Sequence, residues 1–262
     1  MKVEQHLLDG VFIEHVAPDG PAASPPIVFI HGGSHGSWLW DNWTRYFAGL
    51  GRHCYAFSWF NHTGSVELPT EEFIKRSMLD ATEELDIVVK YAGETPVLVA
   101  HSMGAAVAQK YAEDHMVLAQ VLLAPVPCRE SKGEAIQVPV DLSAPFPPMP
   151  YEMAAEWFFD GCSEQDARRY HALMSDESPK AVWEAAQRGA AIKLDRTRAS
   201  GPILMVAGGK DIVSPAELVR KHAAHFGADY LYLADRAHSL ILEPRWRDVA
   251  GRIDSWLTRA AW

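Results

Sequence analysis

Apolar positions along the chain fall into short blocks with two different rhythms. Residues 2–8 and 11–17 alternate every second position, as half-buried strands do, and Asp9-Gly10 between them signals a hairpin. Ile27-Val28-Phe29-Ile30 is apolar without alternation, the mark of a strand covered on both faces. Cys54–Trp59, Val97–Ala100, Val117–Leu123, Ile203–Ala207 and Asp229–Leu233 read as further strands. Between them the spacing becomes helical. One helix follows the cluster Trp38, Trp40 and Trp43 and runs to Leu50, where Gly51 can end it. Ile74, Met78, Ala81, Leu85 and Val88 predict one long amphipathic helix over 71–92. Gly104, Ala105 and Ala106 begin a helix reaching about Asp114. Ser214-Pro215-Ala216-Glu217 reads as N-cap, first-turn proline and capping-box glutamate, and a last helix starts near Pro244. Strands alternating with helices predict βαβ units, hence an α/β fold with a mostly parallel sheet and helices on both faces.

The alternation stops after Ala124. Prolines at 125, 127, 139, 145, 147, 148 and 150 stiffen an irregular stretch, and helical patterns follow over 151–160, 163–174 and 178–188. The last has Ser178 as N-cap, Pro179 at its first position and Gly189 at its end. No strand pattern returns before Ile203. The expected organisation is a core domain of 1–126 and 199–262, interrupted by a helical cap or lid over 127–198. Pro18 to Pro26 reads as a surface loop, and no internal repeat is present.

Composition narrows the classes. At 262 residues and 48% hydrophobic content, the chain can bury a sizeable core. A net charge of −10 supplies no basic surface, so no nucleic-acid or membrane partner is expected. The first residues lack the apolar core of a signal peptide and no run has spanning length, which places the expected location in the cytoplasm. Cys54, Cys128 and Cys162 are odd in number and lack metal-type spacing, which fits free thiols in a reducing compartment. Among the twelve histidines His31 and His35 are close, but no third ligand stands near them, so neither a metal nor a cofactor is expected.

The candidate chemistry centres on Val97 to Ala106. A buried strand, a sharp turn at Ser102 and a helix of small residues make an elbow of the form small-x-Ser-x-Gly, with Ala100 where the common form has glycine. The turn exposes the hydroxyl where backbone N–H groups and the helix dipole favour negative charge. A serine needs a base, and the base an orienting acid. Asp211 and His238 both follow strands, and the chain order Ser, Asp, His is the one expected on such a sheet. Glu130 lies too far past its strand to be the favoured acid, and Asp235 too close to His238. His31 reads as a residue of the tight turn rather than a base, and Trp38 and Trp40 as core. His101 either lines the site or points into the sheet.

With these motifs in place the chain resembles α/β-hydrolase-fold serine hydrolases over nearly its whole length. The elbow, His31-Gly32-Gly33, Gly-Gly-Lys-Asp-Ile-Val and Ala-His-Ser with Glu-Pro downstream all fall where that family puts its motifs. The stretch His31 to Trp40 also resembles the plant methylesterase and hydroxynitrile lyase branch. The lyases need a lysine after the catalytic histidine, and Ser239 stands there. The resemblance implies that Ser102 attacks a carbonyl, His238 moves the proton and Asp211 orients His238. It also implies an oxyanion hole of the Met103 and Gly33 N–H groups. Met149, Met153, Trp157, Phe158, Phe159 and Trp183 carry more apolar surface than short helices need among themselves. They either bury against the core or form an acyl-binding wall, with Met153, Trp157, Phe158 and Trp183 as the substrate-contact candidates.

The expected function is hydrolysis of carboxylic esters, lactones included, of small to medium hydrophobic substrates through an acyl-enzyme. Hydrolysis of C–C, thioester or amide bonds and acyl transfer use the same residues and stay open, as does the oligomeric state. A small-molecule receptor on the same scaffold would be marked by a broken triad, and here all three residues are present.

Overall fold

The computed structural model describes residues 1–22 and 24–260; Ala23 of the predicted surface loop and the last two residues lie outside the described set. Eight strands form one sheet: β1 (Lys2–Leu8), β2 (Val11–Ala17), β3 (Ile27–Ile30), β4 (Cys54–Ser58), β5 (Val97–His101), β6 (Ala119–Leu123), β7 (Ile203–Gly208) and β8 (Asp229–Leu233). Their spatial order is β1-β2-β4-β3-β5-β6-β7-β8. The hairpin pairs β1 antiparallel to β2, and β2 is antiparallel to β4; every later pairing is parallel.

Nine α-helices accompany the sheet among the described residues: α1 (Asp41–Gly49), α2 (Thr70–Phe73), α3 (Thr82–Ala92), α4 (Met103–Tyr111), α5 (Tyr151–Trp157), α6 (Glu164–His171), α7 (Pro179–Ala186), α8 (Ala216–Phe226) and α9 (Trp246–Arg259). Successive strand residues face opposite sides, so the unbroken apolar runs feed two cores. Val28, Ile30, Leu98 and Ala100 join Leu85, Val107 and Val219 of α3, α4 and α8. Ile27, Phe29, Val97 and Val99 join Phe47 and Ile253 of α1 and α9.

Two local expectations are corrected. The single helix predicted over 71–92 is broken into α2, a 3-10 turn at Met78–Ala81, and α3. Ser77 is extended and its hydroxyl accepts from the Leu79 N–H, while Asp80 accepts from the Ser77 N–H at 2.8 Å, a capping box that restarts the helix. Glu184 of α7 locks the break, accepting from Ser77 Oγ at 2.7 Å and from the Met78 N–H at 3.0 Å. Second, Ser214 does not cap α8. The N-cap is Pro215, without a side-chain bond, and the Ser214 N–H donates instead to Asp211 Oδ1 at 2.8 Å.

Between β6 and β7 the chain carries α5, α6 and α7 with long irregular connections, and an isolated β-bridge joins Phe146 to Glu177. Ser178 caps α7 by accepting from the Ala181 N–H, with Pro179 at the first position. Among the described residues no helix is long and apolar enough to cross a membrane.

Candidate active site

The sheet order reverses at β3, which has β4 on one side and β5 on the other. In an open parallel sheet the crevice lies outside the carboxyl ends of the strands at such a point, and loops from the neighbouring strand ends reach into it. Gly32 to Ser34 follow β3, Ser102 follows β5, Asp211 follows β7 and His238 follows β8.

Ser102 sits at φ 53°, ψ −118°, outside the ordinary range of a residue with a side chain. Its N–H donates to the Leu123 carbonyl, and its own carbonyl accepts from Ala105 and Val126. The turn is tight because α4 lies directly on the end of β3: a Cβ on Gly104 would be 2.3 Å from the His31 carbonyl oxygen. Ala100 is fully buried in the core on one side of the sheet, so a small residue suffices there.

The Ser102 hydroxyl donates to His238 Nε2 at 3.1 Å, and His238 Nδ1–H donates to Asp211 Oδ2 at 2.9 Å. Asp211 is fixed in turn by the N–H groups of Val213 and Ser214, both 2.8 Å from Oδ1. All three side chains are buried. The arrangement can pass a proton from the hydroxyl to the imidazole while the carboxylate steadies the ring's positive charge. The His238 loop is held by Glu243, which accepts from the Ala237 N–H at 2.8 Å and from the buried Arg236 guanidinium at 3.1 Å. Glu130 and Asp235 are exposed, and among the described residues neither is hydrogen-bonded to His238; Asp235 pairs with Arg245.

The N–H groups of Gly33 and Met103 have no hydrogen-bond partner among the described residues. Gly33 packs on the Met103 side chain so closely that a Cβ would meet its Cε at 2.7 Å. Ser102, Met103 and Gly33 line one cavity, whose remaining wall is mostly apolar: Val126, Ile136, Phe146, Met149 and Met174, with Trp157 and Phe158 of the α5 end. The Phe158 ring is 5.8 Å from that of His238. Met153 and Trp183, the other two substrate-contact candidates, are exposed and stand outside this lining. Each sits one position off its helix's inward face: Ala154 and Trp157 face in on α5, as Val182, Ala185 and Ala186 do on α7, and a step of one residue turns about 100°.

Four histidines near this cavity do different work. His31 donates from Nδ1 to the Gly32 carbonyl, accepts at Nε2 from the Trp59 N–H, and is held neutral by burial and the neighbouring His62. His101 lines the cavity and donates from Nε2 to the His238 carbonyl; burial, with His238 adding, keeps it neutral as well. His35 donates to the Gly33 carbonyl at 2.6 Å, and burial lowers its pKa to about 4. His62 is the exception. It faces Glu177 at 3.1 Å, and no sequence signal set either residue apart.

Metal-capable groupings among the described residues lie elsewhere. Glu4, His6 and His15 converge on the β1–β2 hairpin, and Cys128, Glu130 and His225 beside α8. In the first, Lys2 holds Glu4 at 2.7 Å, Tyr91 holds His6 and His53 holds His15, each at 2.8 Å. In the second, burial raises the Cys128 thiol and keeps it protonated. Cys54 is buried and free, as is Cys128, and Cys162 is free and partly buried.

Residues 27–252 match the family model described as the alpha/beta hydrolase family. No curated protein matches the sequence. Among solved structures, a monoacylglycerol lipase from Paleococcus ferrophilus is 18% identical with a TM-score of 0.69, over 100% of both chains. An N-acyl homoserine lactonase mutant complexed with N-hexanoyl homoserine is 16% identical with a TM-score of 0.72, over 98% of this chain and 96% of that one. A methylesterase from Arabidopsis is 15% identical with a TM-score of 0.71, over 90% of this chain and 99% of that one. Likeness at these identities is likeness of fold, and the family model covers most of the chain. The chain belongs to the alpha/beta hydrolase family.

Proposed function

We propose that this protein is a carboxylic ester hydrolase that works through a serine acyl-enzyme. The observation that carries this reading is the unbroken chain Ser102 Oγ, His238 Nε2, His238 Nδ1, Asp211 Oδ2 at the wall of an apolar cavity. Structural neighbours named as a lipase, a lactonase and a methylesterase support ester chemistry, and lactones fall within the same reading.

Each residue has a role. Ser102 Oγ bonds to the ester carbonyl carbon as His238 Nε2 takes its proton, and the carbonyl π electrons move onto oxygen. The N–H groups of Gly33 and Met103 hold that oxyanion; losing one such donor costs about 3 kcal/mol of barrier. When the carbonyl re-forms, the C–O bond to the alcohol breaks and His238 hands its proton to the departing oxygen. Water then attacks the acyl-enzyme with His238 as base, releasing the acid and restoring Ser102. Asp211 keeps the Nδ1–H tautomer in place and stabilises the imidazolium. Segment 127–198 serves as a lid whose Trp157 and Phe158 face the acyl chain, which favours hydrophobic acids of small to medium length.

The test is hydrolysis of a p-nitrophenyl ester series, acetate to laurate, by the wild type and by Ser102→Ala. The expected result is a preferred chain length in the wild type and loss of turnover by at least about 10⁴-fold in the variant. A wild type inert on every ester and lactone, or an active Ser102→Ala, contradicts the reading.

A further inference from the structure

The loop after β3 is gripped by the segment between β6 and β7. Ser34, next to Gly33, has a left-handed backbone at φ 59°. Its carbonyl accepts from the Ser175 N–H at 3.0 Å, and its N–H donates to Glu177 Oε2 at 2.9 Å. Glu177 is itself fixed at both backbone groups by Phe146, at 2.8 and 2.9 Å. Its side chain is 3% exposed, and the carboxylate also accepts from the Ser178 N–H and from His62 Nε2. A Cβ on Gly33 would lie 3.4 Å from Glu177 Oε2.

A bare carboxylate in that place would oppose any negative charge forming at Gly33. The neighbouring ring answers it. His62 donates from Nδ1 to the Phe60 carbonyl at 2.9 Å and from Nε2 to Glu177 at 3.1 Å. Both ring nitrogens face acceptors, so both carry protons and the ring is an imidazolium. Burial works against that charge, but Glu177, helped by the Phe60 carbonyl and Glu84, outweighs it and raises the His62 pKa; burial likewise opposes the Glu177 charge, and His62, together with the Ser34 and Ser178 N–H groups, outweighs it and lowers the carboxyl pKa. The other groups around the pair are accounted for. The His31 ring, 5.1 Å from that of His62, is neutral, as is His35. Glu84, whose charge also favours protonated His62, is paired with Arg76 at 2.8 Å and accepts from the Phe60 N–H.

We propose that Glu177 and His62 are positioning residues for the oxyanion hole: as a neutralising ion pair they clamp the Ser34 peptide, and so aim the adjacent Gly33 N–H. The segment that carries Glu177 then does more than cover the substrate, because it completes the hole from behind. The inference rests on the reading of Ser102 as nucleophile and Gly33 as oxyanion donor.

Such residues act on the transition state more than on the bound ester. Glu177→Gln and His62→Gln should each lower kcat on p-nitrophenyl butyrate by about 10- to 100-fold while KM stays within about twofold. Affinity for a boronic acid, a mimic of the tetrahedral state, should fall by the same factor as kcat/KM. The wild-type kcat should decline at alkaline pH as His62 loses its proton, and that decline should be absent in Glu177→Gln. Folding is checked by circular dichroism. If neither variant folds, the wild-type profile decides, and a flat alkaline limb overturns the proposal. Folded variants with wild-type kcat, or with a loss confined to KM, overturn it too. The foundation is read separately: if Ser102→Ala is inactive and Glu177→Gln is unimpaired, only the positioning role falls.

Discussion

Ser102 keeps a left-handed backbone that costs a non-glycine residue about 1–3 kcal/mol, and the contacts around it hold it there. Gly104 is the residue that permits this. Gly104→Ala would push a methyl into the His31 carbonyl, so we expect a loss of about 2–3 kcal/mol in urea unfolding, with esterase activity falling alongside. Phe158 is the side chain whose ring stands nearest His238 from the α5 side, and Phe158→Ala should move the best p-nitrophenyl ester toward longer acyl chains. As neighbours in one crevice, Ser102, Asp211 and His238 were legible from sequence because each stands just past a strand at the sheet's carboxyl edge. Glu177 and His62 were not. They lie 115 positions apart, and a buried carboxylate has no pattern until the fold brings its partner to it. Glu243 stood in a motif, but its grip on the Ala237 N–H and Arg236 is a tertiary fact.

A single periodicity makes an element legible in the sequence, and a spacing that continues across a break conceals it. The apolar strands and the β1–β2 hairpin followed directly from runs, alternation and Asp9-Gly10. The break in the 71–92 helix was hidden because Met78, Ala81, Leu85 and Val88 keep helical spacing across it, and all four are buried. The signal that could have found it is Ser77-Met78-Leu79-Asp80, a capping box inside the periodic stretch. Glu184→Ala leaves the Ser77 hydroxyl and the Met78 N–H without their acceptor and should cost about 1–3 kcal/mol, measured by urea unfolding. In the short helices α5 and α7, hydrophobic content alone could not say which side faces in. The sequence therefore offers Met153, Trp157, Phe158 and Trp183 alike, and the fold puts Trp157 and Phe158 on the cavity wall and Met153 and Trp183 on the exposed side.

The whole molecule buries histidines of both kinds, and its stability should depend on pH accordingly. His31, His35, His101 and His222 are held neutral with lowered pKa values, about 4 for His35 and about 3 for His222, burial being the first cause in each. The unfolded chain takes up protons near 6.5 while these folded groups do not, so stability falls as pH drops below 6.5, by about 1.4 kcal/mol per pH unit for each such group. His62 has the opposite sign. Its pKa is raised, so its contribution is complete below 6.5 and is lost as pH rises through the higher folded value. Urea unfolding from pH 5 to 9 should show a maximum between the two declines, and His62→Gln should flatten the alkaline one. The central claim, that Ser102 is the nucleophile of an acyl-transfer site, is tested most directly by intact-protein and peptide mass spectrometry after treatment with a fluorophosphonate. The expected result is one adduct per chain, on Ser102, absent from Ser102→Ala and strongly slowed in His238→Ala. An enzyme that hydrolyses esters yet takes no adduct at Ser102, or takes it elsewhere while Ser102→Ala keeps its turnover, would contradict it.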